Sequence, residues 1–247
     1  MKNQTGNYLK YAIGEILLVV IGILIALQIN TWNTARLDHN KEKEYLINIL
    51  EDIKTQQQLV KDQVAHNILM RLKCEKAIRH LNSNNINADS INLYLTDITR
   101  KTFVVSDPTF QDLKSSGNIL LIKNGDLRKK ILTFYQYLDY SALVIQISNE
   151  KTIAEFRDLL VKENVVDMNY TDSLTVAGGI DFSLKTTPLL WAKKLQEDKL
   201  KNRDFLFMVL NHIGQRGRTS SVNLDLMKRM ELRIENMQRD IENYLNS

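Results

Sequence analysis

The residues of this chain that could do chemistry are four histidines, one cysteine and scattered carboxylates. The histidines are His39, His66, His80 and His212, and none of them forms an H-E-x-x-H pattern or a comparable metal-ligand spacing. On one helix His66 and His80 would lie about 21 Å apart along the axis, which is too far to share a metal ion within one chain. The sequence therefore predicts no metal site.

Motifs for nucleophilic catalysis or phosphate binding are absent as well. The sequence has no G-x-S-x-G motif, no P-loop and no G-x-G-x-x-G followed by a helix. Ser115–Gly117 could form a nucleophile turn, but a glycine just past a helix end explains Gly117 fully. Asp107, Asp112 and Asp126 fall at predicted caps and exposed helix faces. We expect no catalytic residue, no cofactor and no enzymatic activity.

The most distinctive stretch is apolar and lies near the N-terminus. Between Ala12 and Ile29 there are twelve Ile, Leu or Val residues, and Glu15 is the only charged residue. A helix of about 20 residues spans the hydrocarbon core of a bilayer, and twelve such side chains outweigh one carboxylate near the helix end. Residues 11–30 are therefore predicted to be a transmembrane signal anchor after a short head, residues 1–10.

Aromatic side chains flank this anchor, and a cleaved signal peptide is the alternative. Tyr8 and Tyr11 on one side and Trp32 on the other are predicted to lie at the two membrane interfaces. A cleaved signal peptide has a shorter apolar core and small residues at its cleavage site, where Gln28 fits poorly. We therefore favour an uncleaved anchor.

One stripe of the predicted anchor helix could pack against another helix. Glu15, Gly22 and Ala26 are separated by seven and four residues, so they share a face. Small residues allow membrane helices to approach closely, and an intramembrane carboxylate usually faces protein or water. The stripe could therefore serve self-association or ion handling. The alternative is that Glu15 only reaches the headgroups.

The same region resembles a known family. Residues 8–33 read YLKYAIGEILLVVIGILIALQINTWN, which resembles the N-terminal signature of a large family of uncharacterised bacterial single-pass membrane proteins, roughly KYxxGExxLVxxGILIALQINNWNE. Thr31 and Thr34 stand where that family usually has Asn and often has Glu. Residues 110–124 resemble its LKSSGxxxLIxN segment. The resemblance implies location and architecture; the family has no established activity to carry over.

Composition favours helices and gives little sign of nucleic-acid binding. The chain has 247 residues, two prolines, nine glycines, 44% apolar residues and a net charge of +4. Acids and bases interleave instead of forming a basic face, so no nucleic-acid partner is expected. The single cysteine, Cys74, excludes an intramolecular disulfide, and in a helical stretch it is most often a small buried hydrophobe.

Orientation is read from the segments that flank the anchor. Positive charges on the two sides are nearly balanced, and the ten-residue head is typical of an anchor with its N-terminus inside. We predict a single-pass protein of the bacterial inner membrane, with a cytoplasmic N-terminus and a periplasmic body.

The remainder, residues 31–247, is predicted to be a soluble all-α domain. Because neither Gly nor Pro occurs from Ile23 to Asp107, the anchor helix can continue to about Leu81, which gives a rod roughly 110 Å long. Long helices are expected at about 36–81, 125–164 and 221–245. Heptad-like stripes on each predict a bundle or coiled coil. The predicted seams are Leu46, Leu50, Ile53, Gln57, Val60 and Val64 in the first, and Met227, Met230, Ile234, Met237, Ile241 and Tyr244 in the last.

Shorter elements are expected between the long helices. Asp89 or Ser90 is predicted to cap a short helix, Asp107 to cap another that ends before Gly117, and Asn124 to cap the helix of 125–164. Residues 166–190 are expected to form a loop with at most a minor β-hairpin. A further helix is expected to end near Gly214 to Gly217.

Two functional hypotheses follow. In the first, the protein is a non-enzymatic sensor or scaffold that binds a protein partner or an unknown small-molecule ligand through its bundle. In the second, the anchor assembles through Glu15, Gly22 and Ala26 into a homo-oligomeric channel or an energy-coupled complex. The first requires less special chemistry, so we prefer it.

Overall fold

The protein is an all-α chain with one small β-hairpin. The computed structural model describes residues 4–96, 98–167, 174–175, 181–182 and 189–247, with side chains for 13–96, 98–167 and 189–247. The elements are, in order, α1 (Gln4–Leu81), α2 (Ala88–Leu95), α3 (Pro108–Ser115), a 3-10 turn (Asn118–Leu121), α4 (Gly125–Ser148), a π-helical turn (Asn149–Ile153), α5 (Ala154–Lys162), β1 (Leu174–Thr175), β2 (Asp181–Phe182), α6 (Leu190–Leu200) and α7 (Arg203–Leu245).

Helix α1 is unbroken over 78 residues, which confirms the predicted continuation of the apolar segment to Leu81. It contains one apolar stretch long enough to cross a membrane, and none of that stretch is buried by the described residues. At 1.5 Å per residue α1 is roughly 115 Å long. A single helix, α1, therefore contains the exposed apolar stretch near its start and packs into the bundle further along.

Helix α7 runs antiparallel to α1 along the length of the bundle. The Tyr244 hydroxyl donates a hydrogen bond to Glu42 Oε1 (2.9 Å), which joins the end of α7 to the middle of α1. Further along, a Cβ placed on Gly217 would lie 3.4 Å from Cys74 Cβ. Because Glu42 pairs with a late residue of α7 and Cys74 with an earlier one, the two helices point in opposite directions.

The predicted helix end near Gly214 and Gly217 is wrong, because both residues lie inside α7. A helix accepts glycine when tertiary packing exceeds the cost of roughly 1 kcal/mol per glycine. At Gly217 the missing side chain also allows α7 to approach Cys74 closely. The expected helix of 221–245 is thus the second half of a longer one.

The buried faces of α1 and α7 follow a strict alternation of four and three residues. This seam confirms Met227, Met230, Ile234, Met237 and Ile241 as core, whereas Tyr244 is only half-buried. On α1 the prediction was half right: Leu46, Ile53 and Val60 are buried, but Leu50, Gln57 and Val64 flank the seam. The fully buried residues of α1 are Glu42, Leu46, Ile49, Ile53, Gln56, Val60, Gln63, Asn67, Met70, Cys74, Ala77 and Leu81.

The helix caps agree with the sequence at two of three sites. Asn124 Oδ1 accepts from the Leu127 amide (3.0 Å). Asp107 occupies the N-cap position before Pro108, but its side chain accepts no backbone hydrogen bond from the first turn of α3, where the Thr109 amide donates to Asp52 Oδ2 instead (2.9 Å). Gly117 follows the end of α3 with φ +72°, a conformation that strains other residues. The cap of α2 is Asn87, whose side chain accepts from the Ser90 amide, and not Asp89 or Ser90.

The predicted helix of 125–164 is interrupted by the π-helical turn. α4 ends at Ser148, the turn covers Asn149–Ile153, and α5 continues to Lys162. After α5 the two short strands pair antiparallel, with Leu174 opposite Phe182, which confirms the minor hairpin. The rest of the predicted loop, 168–173, 176–180 and 183–188, lies outside the described residues.

Candidate functional site

The bundle has two separate apolar cores with a polar layer between them. One core packs α3, α4 and the C-terminal half of α7 on α1 between Leu46 and Val60. The other packs α2, α5 and the start of α7 on α1 between Met70 and Leu81. We call the buried residues between these cores the polar layer; they are Gln63, Asn67, Asn149, Arg216, Ser220 and Asn223.

The polar layer holds the extended segment that joins α2 to α3. Gln63 Nε2 donates to the Lys101 carbonyl (3.0 Å), and Asn149 Nδ2 donates to the same oxygen (3.2 Å). Arg216 donates to the Thr99 carbonyl (3.0 Å). A non-helical segment packed on a bundle has backbone groups without helical partners, and here side chains of the polar layer satisfy the part-buried ones. Three different helical elements thus fix one stretch of backbone.

A second contact holds the same segment nearer to α3. Gln56 Oε1 accepts from the Ser106 amide at 2.7 Å, and its Nε2 donates to the Val104 carbonyl at 3.4 Å. Residues 103–106, which form neither helix nor strand, are therefore bound to α1 by one side-chain amide.

Arg216 is the most unusual member of the polar layer. It is 1% exposed, and among the described residues no carboxylate forms an ion pair with its guanidinium. Its partners are the Ser220 hydroxyl and the Thr99 carbonyl, while Nε has no hydrogen-bond acceptor in the described part of the chain. Burial lowers the pKa of Arg216 from its ordinary value. The layer therefore holds a positive charge that is compensated only by dipoles.

His66 lies beside this charge. Burial lowers the pKa of His66 to about 4, and the nearby charges of Arg216 and Lys101 act in the same direction. A hydrogen bond with the backbone of Thr99 opposes them with a smaller effect. His66 is therefore neutral at pH 7 and becomes charged only in acid.

A cavity of about 310 Å³ reaches the polar layer from the surface beside the π-helical turn. Its walls combine an arginine, a carboxylate, two amides and an aromatic ring: Arg100, Glu150, Gln146, Asn149 and Phe103. π-Helical turns occur often at functional sites. Because Asn149 also holds the Lys101 carbonyl, a molecule in this cavity would touch a member of the polar layer directly.

The residues predicted for membrane packing are not brought together with the polar layer. Glu15, Gly22 and Ala26 are exposed on α1, and a Cβ on Gly22 would meet nothing within 4 Å. Trp32 is also exposed. Tyr8 and Tyr11 lie on the described backbone of α1, but their side chains lie outside the described residues.

The chemistry-bearing residues remain dispersed. In the part of the chain that the structure describes, no three His, Cys, Asp or Glu residues are placed to hold a metal ion. Cys74 is 1% exposed, which confirms the buried-hydrophobe interpretation, and burial raises the pKa of its thiol to about 11. Its thiol is therefore protonated and unreactive at neutral pH.

The sequence pattern did not indicate the polar layer, because the predicted α1 seam runs through Leu50, Gln57 and Val64, each one residue after the position that is buried. Leu50 and Val64 fit a spacing of four and three, but so do Gln56, Gln63 and Asn67 in the neighbouring register. The available signal was the seam of α7, where Arg216, Ser220 and Asn223 continue the spacing of Met227 and Met230.

Comparisons with protein-family models, with curated proteins and with solved structures find no match to this chain.

Proposed function

We propose that this protein is a membrane-anchored, non-enzymatic sensor that binds a partner or ligand through its bundle. The observation that carries the proposal is the unbroken helix α1, which begins in the exposed apolar stretch and forms the bundle seam from Glu42 to Leu81. A continuous helix transmits a shift or rotation of one end to the other, as helix shifts do in known switches. A flexible tether would not transmit such a movement.

The polar layer favours a sensor over a static scaffold. The two apolar cores are each closely packed, while the layer between them depends on hydrogen bonds and contains the uncompensated charge of Arg216. A buried charge that is held only by dipoles stabilises the folded state little. Two arrangements of the seam can therefore be close in energy at this level, as a switch needs.

The cavity beside the π-helical turn is where we place ligand entry. It has a volume in the range of small-molecule sites, about 310 Å³, and both signs of charge at its walls. A ligand that displaces Asn149 from the Lys101 carbonyl would release one of the contacts that hold the extended segment. Binding would thereby reach α1 through Gln63, which shares that carbonyl.

To test this proposal, a residue of the polar layer is replaced, and the distance between α1 and α7 is measured at the end of the bundle nearest the apolar stretch. Spin labels at positions 34 on α1 and 243 on α7, in a Cys74→Ala chain in lipid nanodiscs, report the distance between α1 and the end of α7. Arg216→Met removes the buried charge and keeps much of the volume, so the electron-spin distance distribution should shift or broaden. Arg218→Met, an exposed neighbour on the same helix, is the matched control and should leave it unchanged.

An unchanged distance in Arg216→Met would contradict the sensor. Position 34 lies about 50 Å along α1 from Asn67, so a change there cannot come from local repacking. Circular dichroism of both variants checks that the bundle is folded.

A second candidate is assembly through the membrane helix into an oligomeric channel or energy-coupled complex. The observation that favours it is the exposed stripe of Glu15, Gly22 and Ala26, which packs against no described residue of the same chain. Gly22→Leu should then reduce crosslinked oligomers in membranes, and Glu15→Gln should abolish any conductance. Wild-type crosslinking and conductance in both variants would reject this candidate.

For the location we propose the bacterial inner membrane, with the N-terminus in the cytoplasm and the bundle in the periplasm. The apolar stretch of α1 and the resemblance of residues 8–33 to bacterial single-pass proteins support this. A membrane-impermeant maleimide applied to intact spheroplasts should label a cysteine at position 243. Labelling only after lysis would mean that the bundle lies in the cytoplasm.

A further inference from the structure

The cavity beside the π-helical turn has a positive wall and a negative wall that come from different elements. Arg100 and Thr102 line it from the extended segment, and Asn149 and Glu150 line it from the π-helical turn. Phe103, which is 5% exposed, adds an aromatic surface between them. The lining therefore presents one positive charge, one negative charge and an apolar surface.

The polar groups of these walls have hydrogen-bonding capacity that the described residues do not use. Asn149 is 7% exposed; its Nδ2 donates to the Lys101 carbonyl (3.2 Å), but its Oδ1 accepts from no described residue. Glu150 Oε1 accepts from Gln146 Nε2 (2.8 Å), and no described residue donates to Oε2. No described carboxylate pairs with Arg100. Because buried polar groups nearly always have partners, the open acceptor of Asn149 points to a ligand in this cavity.

The charges and size of the cavity restrict the chemistry of that ligand. A ligand with a single charge would pair with one wall and desolvate the opposite charge on the other without compensation. A ligand with a third charge would find no counterpart among the charged lining residues, Arg100 and Glu150. The volume of about 310 Å³ is near the lower end of the range for small-molecule sites, so the ligand is small. A small zwitterion with an apolar body meets all three conditions.

We propose that this cavity binds a neutral α-amino acid with an aliphatic side chain, an assignment that names the ligand of the sensor and rests on the function proposed above. The guanidinium of Arg100 binds the ligand carboxylate, with the Thr102 hydroxyl as a second donor. The ligand ammonium donates to the Glu150 carboxylate and to Asn149 Oδ1. The aliphatic side chain packs on Phe103. Binding thereby joins the extended segment to the π-helical turn and acts on the amide group that holds that segment.

Isothermal titration calorimetry of the full chain in lipid nanodiscs measures the binding of L-leucine, with L-alanine, L-valine and L-methionine as further probes. Two analogues of L-leucine each lack one charged group: isocaproate has no ammonium, and isoamylamine has no carboxylate. L-leucine should bind roughly tenfold more tightly than either analogue, because each analogue loses the charge-assisted hydrogen bonds of one wall.

Two variants assign the ends of the ligand to the two walls. Arg100→Gln should weaken the binding of L-leucine roughly tenfold and leave it no tighter than that of isoamylamine. Glu150→Gln should weaken it by a similar factor and leave it no tighter than that of isocaproate. Arg79→Gln on α1 and Glu155→Gln on α5 remove exposed charges that do not line the cavity; these matched controls should bind L-leucine as the wild type does.

Three outcomes would overturn the amino-acid site. They are an absence of binding by all four amino acids, isocaproate or isoamylamine binding as tightly as L-leucine, and unchanged L-leucine affinity in both Arg100→Gln and Glu150→Gln. None of them bears on the sensor, because the Arg216→Met experiment needs no ligand. Conversely, L-leucine binding with the expected variant pattern supports the site even if Arg216→Met leaves the spin-label distance unchanged, a result that contradicts only the sensor.

Discussion

At the scale of single residues, the buried polar side chains give the bundle its specific pairing. Gln56 and Gln63 occupy seam positions where an apolar residue would pack more simply, but each binds the backbone of the extended segment. Replacing Gln56 by leucine would leave the part-buried Ser106 amide and Val104 carbonyl without these partners, which costs up to about 1–3 kcal/mol per group. Replacing Gln63 would leave Asn149 as the one side chain that donates to the Lys101 carbonyl. Polar seam positions of this kind fix the register of helices in coiled coils.

His66 makes the stability of this layer depend on pH. Between about pH 4 and 6.5 the unfolded chain binds a proton at His66 that the folded chain does not, so the free energy of unfolding falls as the pH falls through this window. Above the window both states are neutral at His66, and below it both are protonated. After allowance for solvent screening of the half-buried ring, we expect a loss of about 1–2 kcal/mol.

Urea unfolding of the full chain in micelles, followed by circular dichroism from pH 4 to 7, measures this loss. His66→Gln should show a flatter profile than the wild type in the same window. His212→Gln, on α7 beyond the polar layer, serves as the matched control and should follow the wild type. If the wild-type and His66→Gln profiles are parallel, His66 is not the source of the pH dependence of the free energy of unfolding.

At the scale of elements, the pairing of α1 with α7 dominates the fold. The two seams have the same alternation of four and three residues, so their side chains interlock over the whole length of the bundle. Packing of this extent keeps α7 helical at Gly214 and Gly217, where local propensity favours the end of a helix. The two glycines nevertheless differ, because only Gly217 lies against α1.

We therefore expect leucine at position 217 and leucine at position 214 to change the free energy of unfolding in opposite directions. Gly217→Leu would force a large group against Cys74 and should lower the free energy of unfolding by about 1–3 kcal/mol. Gly214→Leu meets nothing within 4 Å of its Cβ and gains helix propensity, so it should raise the free energy of unfolding by about 0.5–1 kcal/mol. Thermal and urea unfolding compare the two variants directly, and equal effects would show that α7 does not approach α1 at Gly217.

At the scale of the whole molecule, the shape is set by one helix that leaves the bundle. Asn33 and Lys61 are both exposed on α1 and are separated by 28 residues, which corresponds to about 42 Å in a straight helix. Residues 31–37 between the apolar stretch and the bundle are exposed, so the helix there depends on its own backbone hydrogen bonds.

Spin labels at positions 33 and 61 in a Cys74→Ala chain should give a narrow distance distribution near that length. Ala35→Pro removes a backbone hydrogen bond in the exposed segment and should shorten and broaden the distribution. A broad distribution in the chain without the proline would mean that α1 is two helices with a joint, and the transmission of motion proposed above would fail.

Features that depend on local and periodic signals could be predicted from the amino-acid sequence alone. The apolar run, the missing helix breakers, the caps at Asn124 and Asp107 and the glycine after α3 act within a few residues, so each is legible without the partner helices. Which of two adjacent registers of α1 faces inward could not be predicted in this way, because that choice depends on contacts with α7 and with the backbone of the extended segment. The polar layer and the continuation of α7 through its glycines both depend on residues far apart in the chain, and their stabilisation arises from contacts that no local pattern contains.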